Sequence, residues 1–296
     1  MGNYRCLFCK ICNGKGCRGQ MPGMGGPFES RNFILNYAGW EKIRDEDAEK
    51  DFVPDIKIRL APMTGGVENV GYPDEKLFYM DLIGACGKTK AGLSIGDGCP
   101  DTKLEWGIEA VKKNMPENGG KKAAVFIKPY PQESIFERFE KAVDIAESFG
   151  IDIDSYNIVT MRQKARLEKK SPAQLSEIKK YLNSKGFPFI IKGIFTEEDL
   201  ETVTEVKPDA AYVSNHGGRV ETRTGSTAEF LFKNHALLSS NSGAVWVDGG
   251  IRDAAQIKTA AFYGASEILI GRPFASAICR DKENGVPDLL SRLFNL

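Results

Sequence analysis

From residue 57 onward one rhythm governs the chain: a short apolar, β-rich run, a polar or glycine break, then a stretch of helical periodicity. The runs are IKIRLAPM (core 57–63), KAGLSIGD (90–97), AAVFIKPY (123–130), GIDIDS (150–155), FPFIIKGI (187–194), AAYVSNH (210–216), GAVWVDGG (243–250) and EILIGRP (267–273), eight in all. Amphipathic segments separate most of them. In SIFERFEKAVDIAESFG, Ile135, Phe136, Phe139, Val143, Ala146 and Phe149 recur at helical spacing, with Ser134 placed to cap the start and Gly150 to end it. Continuous apolar strands alternating with helices imply parallel strands covered on their outer face. Eight such units close into a (β/α)8 TIM barrel. An open doubly wound sheet would carry a glycine-rich dinucleotide loop after its first strand, whereas here that strand ends in APMTGG. Residues 1–55 precede the rhythm and are read as an N-terminal cysteine-rich cap with a lead-in helix, and 56–296 as the barrel. Segments 156–170 and 217–240 interrupt the rhythm and are read as loops over the barrel mouth.

Charge narrows the function. With 40 basic and 40 acidic residues in a chain of 296, no net field recruits nucleic acid or an anionic membrane surface. No run of about 18 apolar residues is available to span a bilayer. The opening MGNYRCLFCK lacks the apolar core of a signal peptide, so a cytoplasmic protein is expected, assembled as a homo-oligomer. Four of the seven cysteines, Cys6, Cys9, Cys12 and Cys17, fall in CLFCKICNGKGC. Without an export signal this clustering favours a metal site, iron–sulfur or zinc, over disulfides.

Catalytic residues of such barrels come from the C-terminal ends of strands. Those ends carry Met63, Ser94, Lys128 and Tyr130, Asp152 and Asp154, Lys192, His216 with Arg219, Asp248 with Arg252, and Gly271 with Arg272. DGGIRDAAQ after the seventh strand and GRP after the eighth lie where phosphate is commonly bound, with glycines admitting the anion and Arg252 and Arg272 supplying forked hydrogen bonds. Lys192 ends an almost wholly apolar strand. It could form a Schiff base, pair with a carboxylate or stabilise an anionic ring. His216 is a general-base candidate with Asp154 behind it, and Arg219 could grip a carboxylate. The other histidine, His235, has nothing reactive around it in sequence and reads as structural.

Together these residues resemble the FMN-dependent α-hydroxy-acid oxidase and dehydrogenase family, the group of glycolate and lactate oxidases. SNHGGR followed by DGGIRDAAQIKTAAFYGASEILIGRP carries the likeness, with looser matches at APM, LS, IKGI and the tyrosine of FIKPY, over roughly residues 55–280. The resemblance implies that Ala61, Pro62, Met63 and Ser94 lie against the flavin. Lys192 would stabilise its reduced anionic ring. Asp248, Gly249, Gly250, Arg252, Gly271 and Arg272 would hold the ribityl chain and phosphate. It makes His216 the base that takes a proton from a small 2-hydroxy acid as a hydride equivalent reaches the flavin, with Tyr130 and Arg219 on the substrate. A separate electron-acceptor protein would suit a dehydrogenase.

Lys128 stands where the family usually has a glutamine at the pyrimidine end of the flavin, and DID replaces the family's TVD. The family's N-terminal tyrosine has no match, and Arg162 is offered for an arginine of the loop after the fourth strand. MTGG also recurs in type 2 isopentenyl diphosphate isomerase, an FMN barrel kept as the runner-up. A third reading is a flavin and metal electron-transfer module.

Overall fold

Strands buried on both faces must read as nearly unbroken apolar runs, and the burial pattern here follows that rule. The computed structural model describes residues 31–70, 72–158, 165–220 and 222–294. Its strands are β1 (Lys57–Leu60), β2 (Leu93–Gly96), β3 (Ala123–Ile127), β4 (Ala146–Asp152), β5 (Phe189–Ile194), β6 (Ala210–Val213), β7 (Val245–Val247) and β8 (Glu267–Ile270). Each pairs in parallel with its sequence neighbour from β2 to β8, and β8 pairs with β1. The ring is completed where Leu60 N–H donates to Gly92 O and Gly92 N–H to Ile58 O, both at 2.9 Å. The eight-stranded barrel expected from the rhythm is what forms.

Side chains alternate between the barrel interior and the helical shell. Ala61, Ala124, Phe126, Ile190, Ala210, Tyr212, Trp246 and Leu269 fill the interior. Phe126 meets Tyr212 edge-on at 5.6 Å between centroids. At the N-terminal end Arg59, buried, lies 4.9 Å over Trp246 and pairs with Glu267 and Glu147. A charge buried there is tolerable because its guanidinium is both paired and hydrogen-bonded.

Two sequence boundaries move. The helix expected over 134–150 spans Gln132–Ala142, and Ala146–Phe149 belong to β4. Phe149 meets Phe139 from the strand side, ring centroids 4.8 Å apart, so its place in the helical spacing is coincidental. Ser134 lies inside the helix, whose N-cap is Pro131, and makes no cap. In 217–240 the described loop residues end at Ser226. A barrel helix, Thr227–Asn241, follows, with the Ser226 side chain accepting from Glu229 N–H as its cap.

In the described part of the lead-in, the helix Arg31–Lys42 lies across the loops after β6 and β7. Asn36 and Asn215 exchange amide hydrogen bonds of 2.7 and 3.0 Å, and Trp40 Nε1 donates to Gly249 O at 2.8 Å. Asn32 Nδ2 donates to Val220 O and Arg223 O. The approach needs glycine at 218, where a Cβ would sit 2.5 Å from Phe33 N. Cys6, Cys9, Cys12, Cys17 and Arg162 lie outside the described residues. Among the described residues no helix is long and apolar enough to cross a membrane.

Candidate active site

β4 ends at Asp152, and the chain turns at Ile153-Asp154, which leaves both carboxylates beside His216. β5 brings Lys192 beside them in register, paired with Asp152. Its next residue, Gly193, sits at φ 100° in a bulge against β6. That backbone is glycine's, and the space is needed as well: a Cβ there would lie 2.6 Å from Asp154 Cγ. β6 delivers Ser214, Asn215 and then His216 at φ 57°, a left-handed histidine that turns the chain back over the mouth.

These groups meet. Lys192 Nζ donates to Asp152 Oδ1 at 2.6 Å and lies 3.4 Å from His216 Nδ1. His216 Nδ1 is 3.2 Å from Asp154 Oδ1 and 3.5 Å from Asp152 Oδ1. Lys128 Nζ stands 3.9 Å from Asp152 Oδ2. The ligand atoms of Asp152, Asp154 and His216 lie within 4.8 Å of one another, the spacing of a metal triad. The Lys192 ammonium already contacts two of the three, Asp152 and His216.

Burial and charge then sort the protons. Burial alone would push Asp152 up, but His216, Lys192 and Lys128 overcome it and hold this carboxylate below its ordinary range. Asp154, buried and beside the Asp152 charge, is pushed well above the usual carboxylate value. Asp152 is therefore the carboxyl of the couple that ionises first. Burial drives His216 well below 6.5; Asp152 opposes this, while Lys192, Lys128 and Arg219 reinforce it. Lys192 stays charged, because Asp152, Asp154 and Asp248 more than offset its desolvation. A proton on Nδ1 of the neutral imidazole would find carboxyl oxygens as its nearest acceptors and leave the Nε2 lone pair for a ligand.

The groups open on a cavity of about 440 Å³ at the C-terminal end of the barrel. Ala61, Pro62 and Met63 form one wall; Lys128, Lys192, His216 and Arg219 another; and Asp248, Gly249, Gly250, Arg252, Gly271 and Arg272 a third. Three expected residues are not on its walls. Asp154 stands behind His216. Ser94 is buried, with a hydroxyl lacking any hydrogen-bond partner among the described residues. Tyr130 lies against Arg138, whose Cζ is 4.0 Å from its ring centroid, and burial together with Asp97 pushes its phenol upward. His235 hydrogen-bonds Phe232 O through Nδ1 and packs on Tyr263, away from the cavity.

Sequence reasoning assigned no role to Asp152, although the two-residue spacing of DID places it beside Asp154. It also missed Asn36, Cys99 and Lys103. Cys99 and Lys103 line the cavity through contacts that no local pattern announces.

The donor set fits FMN. Asp248 accepts from Tyr212 OH at 2.7 Å through Oδ2, and its buried Oδ1 has no hydrogen-bond partner among the described residues, an acceptor suited to a ribityl hydroxyl. Arg252, Arg272 and Gly271, the N-cap of the helix Arg272–Arg280, line the same cavity and could neutralise a phosphate there. Lys128 and Lys192 supply cations against a ring that gains electrons.

A family model described as FMN-dependent dehydrogenase matches residues 119–295, more than half of the chain. A 4-hydroxymandelate oxidase of Amycolatopsis orientalis is 32% identical over 123 residues, 42% of this chain and 34% of that protein. 2-Hydroxyacid oxidase 2 of Bos taurus is 33% identical over 108 residues, 36% of this chain and 30% of that protein. The matched region thus spans about a third of these curated relatives. Among solved structures, the flavin-binding domain of baker's yeast flavocytochrome b2 superposes with a TM-score of 0.70 at 20% identity, covering 90% of this chain and 73% of that one. Mandelate oxidase with benzoyl-formic acid gives 0.64 at 19%, covering 89% and 82%. At those identities the structural likeness speaks for the fold.

Proposed function

The chain belongs to the FMN-dependent dehydrogenase family, and from that premise we propose that it oxidises a small 2-hydroxy acid to the 2-oxo acid. The observation that carries this reading is His216: half-buried, neutral, set between carboxylates on its inner side and a cavity lined by Lys192 and Arg219 on its outer side. Relatives of the matched region named for oxidation of hydroxymandelate, 2-hydroxy acids and lactate support the substrate class. None of these names favours the isomerase alternative.

FMN, when bound, supplies the two-electron acceptance. The protein's residues do the rest. Arg219, anchored by its own bond to His216 O at 3.1 Å, is held at the rim where a bidentate grip on a carboxylate fixes the substrate. His216 Nε2 takes a proton from the bound acid. The imidazolium so formed lies 3.5 Å from the ionised Asp152 oxygen and 3.2 Å from Asp154, which lowers the cost of charging a half-buried ring. Lys192, kept cationic, answers the negative charge that accumulates in the cavity. Met63 and Ala61 give the wall an apolar surface that excludes water.

Mixing the FMN-reconstituted protein anaerobically with a panel of 2-hydroxy acids tests the reading: one of them is expected to bleach the flavin absorption. His216→Gln is expected to retain FMN and to slow that bleaching by roughly 10²–10⁴-fold, the usual contribution of a general base. Bleaching at the wild-type rate in that variant would remove His216 from the chemistry.

A further inference from the structure

Asp152 lies beside three of the cation-capable groups that line the cavity, yet is not itself among its lining residues. Lys192 is 2.6 Å away, His216 Nδ1 3.5 Å and Lys128 3.9 Å, and the carboxylate is only 8% exposed. Lys192, His216 and Lys128 all line the cavity; Asp152 stands behind them. We infer that Asp152 is a positioning residue, the shared counter-ion of Lys192 and Lys128, and that it sets how readily a cofactor held against those lysines accepts electrons. The inference rests on the proposal that FMN binds in this cavity.

The physical argument is one of charge count in a buried volume. Two ammonium groups, Lys192 and Lys128, are both almost inaccessible, with side chains 4% and 8% exposed. Placed side by side with no carboxylate they would repel each other and be costly to bury. Asp154 is the weaker candidate for that counter-ion role, since burial and the Asp152 charge push its carboxyl well above the ordinary range. Asp152 takes the role with one oxygen turned to each lysine: Oδ1 to Lys192, Oδ2 to Lys128. A single carboxylate against two cations leaves a net positive charge beside the cavity. Electrons arriving there are favoured by the lysines and disfavoured by Asp152, and with little water to screen it the carboxylate has a large lever. The same pairing fixes the lysine heads, because a 2.6 Å bond from a buried carboxylate leaves Lys192 little freedom to turn toward solvent.

The measurement is the midpoint potential of bound FMN, by dye-referenced reductive titration of the reconstituted wild-type, Asp152→Asn, Lys128→Gln and doubly substituted proteins. Asp152→Asn is expected to shift the potential positive and Lys128→Gln negative. The double variant should lie between the two, since charges of opposite sign are removed. Asp152→Glu restores the charge and is expected to return the potential toward wild type. An unchanged or more negative potential in Asp152→Asn overturns the inference. So does a shift in Asp152→Glu as large as that in Asp152→Asn, which would trace the effect to shape. If Asp152→Asn holds no FMN, Lys128→Gln becomes the deciding variant, and a potential that fails to fall there overturns the inference. Wild-type protein that binds FMN but oxidises no hydroxy acid defeats the proposed reaction and leaves this measurement intact.

Discussion

His216 owes its chemistry to neighbours on three different strands. Burial disfavours its charged form, and the cations Lys192, Lys128 and Arg219 add to that, against the pull of Asp152. The base is therefore unprotonated well below its usual value. The acid limb of the kcat/KM profile, which reports groups of the free enzyme, is expected below pH 6.5. Removing a cation that opposes protonation raises the histidine pKa, so Lys128→Gln should move this limb to higher pH. A limb that stays put or falls would show that Lys128 does not act on His216. At this scale the sequence was informative about identity and poor about partnership. SNHGGR marked His216 and Arg219, and DID placed both aspartates at the end of one strand. Which carboxyl ionises first could not be read, because it follows from distances to Lys192 and Lys128, which are remote in sequence.

Among the elements, β5 does the most to place the site. Its bulge at Gly193 lets Asp154 settle against the strand while Lys192, one residue earlier, still faces the barrel axis. Gly193→Ala meets both a positive φ and a carboxylate at 2.6 Å. Since displacing a catalytic group by about 1 Å can cost roughly 10²-fold, a loss of that order in kcat/KM is expected. Circular dichroism and FMN content are expected to stay near wild type; full activity in the alanine variant would refute the packing argument. The eight strands were legible because each is a continuous apolar run. The start of β4 was not: Ala146 and Phe149 continue a helical spacing by coincidence, and only pairing with β3 distinguishes strand from helix there. The helix Thr227–Asn241 was likewise hidden, because its apolar face is interrupted by Lys233, Asn234 and His235.

Over the whole molecule, the barrel divides its labour between ends. The C-terminal rim holds the cavity, while the N-terminal end is plugged by Arg59 with Glu267 and Glu147. Arg59→Met leaves Glu267 buried without its partner, a loss expected to cost about 3–5 kcal/mol. Chemical denaturation should register that cost while FMN binding, at the far end, is retained. Equal stability would mean that the plug contributes nothing net. A different consequence follows from the helix Arg31–Lys42. Asn36 must wait for Asn215, 179 residues later, and Trp40 for Gly249, 209 residues later. At about 5–20 residues per second, a ribosome exposes this helix some ten seconds to over half a minute before its partners emerge. The barrel can thus begin assembling strand by strand as it is made. The segment synthesised ahead of it finds its place only near the end, and until then the nascent chain carries an undocked Trp40.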